Sequence, residues 1–71
     1  MTLANAKGGE TVVIVSLNTS RQLTERLYAM GLIPGASLRI VRASRSGEMI
    51  LGCLDGRFAL GRALTKQIEV A

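Results

Sequence analysis

Any chemistry in this chain would have to come from one thiol, five carboxylates and nine Lys and Arg side chains, because histidine is absent. Without histidine no Ser-His or Cys-His pair can form, and the usual proton shuttle near neutral pH is missing. Cys53, the only cysteine, lies in the apolar run Met49-Ile50-Leu51-Gly52-Cys53-Leu54. No adjacent cation is available to favour a thiolate there, so Cys53 reads as a small buried hydrophobe. The acids Glu10, Glu25, Glu48, Asp55 and Glu69 fall in separate turns and element ends, and no motif pairs two of them. A soft metal centre needs several Cys or His ligands. A hard cation needs clustered carboxylates. Neither set is here, and Lys7-Gly8-Gly9 lacks the spacing and following helix of a phosphate loop. These residues predict a binding protein and not an enzyme, with no cofactor and no metal site.

The charge points the same way. Nine basic residues against five acids leave a net charge of +4, an excess that attracts nucleic acid, acidic protein surfaces or anionic lipid. Arg39, Arg42, Arg45, Arg57 and Arg62 could gather on one side of a small domain. Yet single-stranded nucleic acid is usually held on stacked aromatic side chains, and Tyr28 and Phe58 are the only aromatics. Phe58 is expected in the core. A phosphate-only contact with nucleic acid is therefore the weaker alternative. One cysteine rules out an internal disulfide and suits a reducing cytoplasm. The first seven residues lack the features of a secretory signal, and no apolar run approaches the ~20 residues of a membrane span.

The elements that position these groups follow from periodicity. Residues 1–71 are expected to form a single domain whose core is built from Val, Ile and Leu. Leu3 is the apolar anchor of the N-terminal stretch, and Gly8-Gly9 marks a turn. Thr11 to Leu17 is β-branched and too short for a helix, so it predicts a strand, with Val12 and Ile14 on one face and Val13 and Val15 on the other. Thr19 and Gln22 have capping-box spacing at the start of a helix over Ser20 to Met30, with Leu23, Leu27 and Met30 as its apolar stripe. Gly31 is placed as the positive-φ residue that ends the helix, with Leu32 folding back on Leu27. Ile33-Pro34-Gly35-Ala36 suits a type II turn. Further strands are expected over Ser37 to Ala43, Met49 to Leu54, Arg57 to Leu60 and Gln67 to Val70. Asp55-Gly56 reads as a hairpin turn, and a single helical turn is expected within Gly61 to Lys66. About five short strands with one helix between the first and second predict a small barrel, closed to hide its edges.

The third strand is apolar on both faces, with Met49, Leu51 and Cys53 on one and Ile50, Gly52 and Leu54 on the other. Either the helix stripe covers its outer face, which we favour, or Met49, Leu51 and Cys53 form a patch for self-association.

Arg26-Leu27-Tyr28-Ala29-Met30-Gly31-Leu32-Ile33-Pro34-Gly35 resembles the signature of the FeoA family, the small ferrous iron transport protein A. Lys7-Gly8-Gly9-Glu10 is similar to the turn before that family's first strand, and Ala59 to Val70 is similar to its closing segment. The resemblance spans essentially the whole chain. It implies an SH3-like barrel and a cytoplasmic accessory role in bacterial ferrous iron uptake. The implied partner is the FeoB permease, through its cytoplasmic GTP-binding domain, with the membrane reached only through that partner. Gly31, Pro34 and Gly35 are accounted for by backbone geometry alone. Tyr28, Leu32 and Ile33, with Arg26 and Arg39 on the rim, are the expected partner-binding residues. A homo-oligomer and a nucleic-acid-binding barrel are the alternatives.

Overall fold

The computed structural model describes residues 1–53 and 56–71. The expected hairpin turn at Asp55-Gly56 and the Leu54 end of the third strand lie, in whole or part, outside the described residues. Chain order is a 3₁₀ turn (Leu3–Asn5), β1 (Thr11–Leu17), α1 (Arg21–Ala29), β2 (Ser37–Ala43), β3 (Met49–Cys53), β4 (Gly56–Leu60), α2 (Arg62–Thr65) and β5 (Ile68–Val70). The five strands form one antiparallel sheet in the order β4-β3-β2-β1-β5.

The expectation of a closed barrel is corrected by that order. β4 and β5 are the two edges of the sheet and do not pair with each other. Closure would need the outer edge of β5, and the N-terminal residues already occupy it. Thr2 bridges Glu69, the Val70 N–H donates to the Met1 carbonyl (2.8 Å), and the terminal ammonium meets the Glu69 carboxylate (2.6 Å). A single short stretch of chain thus blunts one edge without curling the sheet onto itself.

Alternation along the strands builds the core. Val12 and Ile14 of β1, Leu38 and Ile40 of β2, and Ile68 and Val70 of β5 point inward, as period-two patterning requires. Leu3 is buried beneath them, as its isolation in a polar stretch suggested. Two irregularities interrupt the ladders, one between Ile14 and Ser16 and one between Ile40 and Arg42. Val41 is the unpaired residue of the second, and it faces outward in step with Ser37 and Arg39, an apolar side chain exposed to solvent. Val13 and Val15 are exposed as well, so among the described residues no element covers the outer face of β1 at these positions.

On β3, Met49, Leu51 and Cys53 form the inner face, buried in the cluster that also holds Leu27 of α1, so the face expected beneath the helix stripe is covered. Ile50 and Gly52 are left half-buried on the outer one. The start of α1 also differs by one residue. Ser20 is the cap, its Oγ accepting the Leu23 N–H (3.2 Å), while Thr19 Oγ1 pairs with Thr24 Oγ1 (2.6 Å). The Thr19–Gln22 capping box does not form, because the helix begins one residue later than that spacing assumes.

Candidate docking surface

The corner between α1 and β2 is built by two positive-φ glycines four residues apart. Gly31 (φ 90°) ends the helix in a Schellman motif. The Leu32 N–H donates to the Leu27 carbonyl and the Gly31 N–H to the Tyr28 carbonyl, both at 2.9 Å. Leu32 and Leu27 supply the apolar contact such an ending calls for, and both are buried. The chain then turns again at Ile33-Pro34-Gly35-Ala36, where the Ala36 N–H donates to the Ile33 carbonyl (3.0 Å) with Gly35 at φ 91°. This is the type II turn that Pro followed by Gly favours. Gly35 and Ala36 are pinned to β1 by the Gly35 N–H on the Ile14 carbonyl (2.8 Å) and the Ile14 N–H on the Ala36 carbonyl (2.9 Å). A weak Sγ contact from Cys53 to the Gly31 carbonyl (3.9 Å) ties the helix end to β3. Backbone bonds therefore hold the corner on both sides.

That geometry sorts the expected partner-binding residues. Tyr28 is 48% exposed and Ile33 43%, so both large side chains meet solvent. Arg26 and Arg39 are exposed, one in the last turn of α1 and the other on the outer face of β2. Leu32 is 0% exposed and belongs to the core. The Schellman ending turns it inward onto Leu27, so it cannot line a surface. Met30 moves the other way. Expected on the buried stripe, it is the C-cap residue and is 43% exposed. The i+7 spacing from Leu23 misled here because the helical backbone ends at Ala29. Met30 joins Tyr28 and Ile33 as a third large apolar side chain displayed within six residues.

The proposed self-association patch is corrected in the same terms. Met49, Leu51 and Cys53 all face the core, and no second copy could reach them without unfolding the domain. The arginines do not gather on one side either. Arg39 and Arg57 flank Gly52 on the outer face, through the register Arg39 to Gly52 to Arg57. Arg42 lines a different cleft, with Glu48, and Arg45 shares a third with Arg62. Phe58 is partly buried against the core rather than displayed, so the outer face has no aromatic platform.

A domain with a rigid, apolar corner and no grouped catalytic side chains agrees with what comparison shows. The model of the FeoA domain matches residues 1–71. The chain belongs to the FeoA family. A relative from Methanocaldococcus jannaschii that carries the name Fe(2+) transport protein A is 32% identical over 68 residues, 96% of this chain and 82% of that protein. A relative of the same name from Campylobacter jejuni is 34% identical over 71 residues, 99% of this chain and 96% of that one. The crystal structure of an iron uptake regulatory protein, FeoA, superposes with a TM-score of 0.89 at 26% identity, covering 99% of this chain and 93% of the other.

FeoA-family proteins are non-catalytic adaptor domains, and this FeoA chain is accordingly a small accessory protein of iron transport and not an enzyme. Among its described residues no three Cys, Asp or Glu side chains are grouped to hold a metal ion, and no helix is long and apolar enough to cross a membrane.

Proposed function

We propose that this FeoA chain acts in the cytoplasm as an adaptor, docking on the GTP-binding domain of the FeoB ferrous iron permease through the corner that displays Tyr28, Met30 and Ile33. The observation that carries the reading is the exposure of these three side chains on a backbone fixed by two glycine turns. Side chains of this size lose free energy by facing water, roughly 25 cal/mol per Å² of apolar surface, and none of the three is needed to fill the core. A partner that covers them recovers that loss, and because the corner is already ordered, little backbone entropy is spent on binding. Arg26, in the last turn of α1 beside this corner, adds a positive charge that suits an acidic partner surface. Family membership and the relatives named for Fe(2+) transport supply the setting of iron transport, in which a permease is the partner this reading takes.

The test is chemical-shift mapping of the labelled chain against the purified GTP-binding domain, with and without guanine nucleotide, at low salt. Shifts centred on residues 26–35 are expected, and Tyr28→Ala together with Ile33→Ala should abolish them while leaving the free fold intact. An absence of shifts at residues 26–35 under these conditions would overturn the reading.

A further inference from the structure

A cleft remote in sequence from the docking corner collects three cations without a counter-charge. Arg45 comes from the loop between β2 and β3, Arg62 from the first position of α2 and Lys66 from its C-cap. They line a cleft of about 280 Å³ together with Thr2, Asn5 and Ser44. Arg62 and Lys66 stand four residues apart and so lie on one side of the same helical turn. Arg45 is brought to them by the hairpin loop, and Gly47 makes that approach possible. A Cβ at position 47 would fall 2.6 Å from both Cβ and Cδ of Arg62, and the residue holds φ 95°. The loop and α2 therefore fit together only because position 47 carries no side chain.

Like charges brought together on a surface repel unless an opposite charge lies between them. Among the described residues the lining contains no carboxylate. Glu48, the acid of the same hairpin, lines a separate cleft with Arg42, and Glu69 is engaged by the terminal ammonium. Among the described residues the ion pairs are Met1 with Glu69 and Arg21 with Glu25, so Arg45, Arg62 and Lys66 have no acidic partner within 4.0 Å. Thr2 and Asn5 also line this cleft, and neither side chain makes a hydrogen bond among the described residues.

We propose that this cleft binds a phosphate group. Two guanidinium forks and an ammonium can each meet a different oxygen of a tetrahedral dianion, with neutral donors for the remainder. A carboxylate brings a single negative charge to three cations, whereas a phosphate dianion brings two. The volume falls just under the roughly 300–1,000 Å³ of small-molecule pockets, so it admits a phosphate together with the beginning of the group that carries it. Two sources share this chemistry, a soluble phosphate ester and the headgroup of an acidic phospholipid. The site is independent of the docking corner and stands whether or not that reading holds.

The experiment titrates the labelled full chain with inorganic phosphate at constant ionic strength, against sodium chloride as the matched control. A parallel arm sediments it with phosphatidylcholine vesicles with and without phosphatidic acid. Saturable shifts of the Arg45, Gly47 and Lys66 amides are expected with phosphate and not with chloride. The double variant Arg62→Gln, Lys66→Gln should weaken binding roughly a hundredfold, about tenfold for each cation removed. Both residues are exposed, so its unfolding midpoint should stay that of the wild type. Co-sedimentation dependent on phosphatidic acid assigns the site to a lipid headgroup, and saturation by phosphate without co-sedimentation assigns it to a soluble ester. Non-saturating shifts spread equally over Arg21 and Arg26, or a double variant that binds as the wild type does, would overturn the proposal.

Discussion

Leu32 and Ile33 are neighbours of nearly equal size and hydrophobicity, and the corner sends one into the core and the other into solvent. Truncating each to alanine separates those roles. Leu32 is fully buried against Leu27, so Leu32→Ala removes its transfer free energy and leaves a cavity, a combined loss of about 2.7–5.0 kcal/mol at comparable sites. Ile33→Ala removes three carbons that are only about half out of water, which at about 0.8 kcal/mol per buried methylene gives a loss of about 1 kcal/mol. A domain of this length has a stability of only about 3–5 kcal/mol and a urea slope near 1 kcal/mol/M. Urea unfolding followed by circular dichroism should thus show Ile33→Ala with its midpoint lowered by about 1 M. Leu32→Ala should lose its folded baseline or drop by roughly 3 M. Leu32→Met, which nearly conserves volume, should cost under about 1.5 kcal/mol and keep the chain folded for the binding assay. Equal losses for the two alanine variants, or a Leu32→Ala loss below about 1 kcal/mol, would refute the assignment of Leu32 to the core.

Gly35→Ala meets no atom within 4 Å, so its expected loss of about 1 kcal/mol in urea unfolding isolates the cost of φ 91° for a residue with a Cβ. Ser20→Ala should destabilise the domain by about 1 kcal/mol in thermal or urea unfolding, and an equal loss for Gln22→Ala would restore the capping box. Cys53, buried beneath the helix cap, should react with a thiol reagent far more slowly in the native chain than in urea, as followed by absorbance. Gly47→Ala should lower the unfolding midpoint more than Gly35→Ala, because it adds a collision with Arg62 to the backbone strain.

What the sequence disclosed, and what it withheld, divides by range along the chain. β1 and β2 occupy the ranges that their β-branched runs suggested, since short apolar stretches bounded by Gly, Asn and Pro leave few alternatives. Gly31 and Gly35 were legible because their backbone conformations are ones that few other residues tolerate. The return of Leu32 onto Leu27 was legible from the glycine ending, which already counted against Leu32 as a surface residue, whereas the exposure of Met30 was not, because it depends on the helix ending at Ala29. The open sheet was hidden for a different reason. It depends on Met1 and Thr2 pairing with residues near Val70, at the far end of the chain, and no local pattern announces that. The phosphate cleft lies between these cases. The four-residue spacing of Arg62 and Lys66 was visible, whereas the arrival of Arg45 depended on how a hairpin folds over Gly47.

The two glycine turns also separate what can change from what cannot. The contacts that shape the corner are made by backbone atoms and by buried Leu27, Leu32 and Cys53, while the side chains of Tyr28, Met30 and Ile33 are displayed from it. Substitutions at those three positions alter what the corner displays and leave its shape alone. A lineage could therefore retune its partner at a smaller cost to folding than any change at Leu27 or Leu32 would carry, and two such domains could diverge in recognition while remaining superposable in backbone. Drift would be tolerated first at the tip of this corner and last at the glycines beneath it.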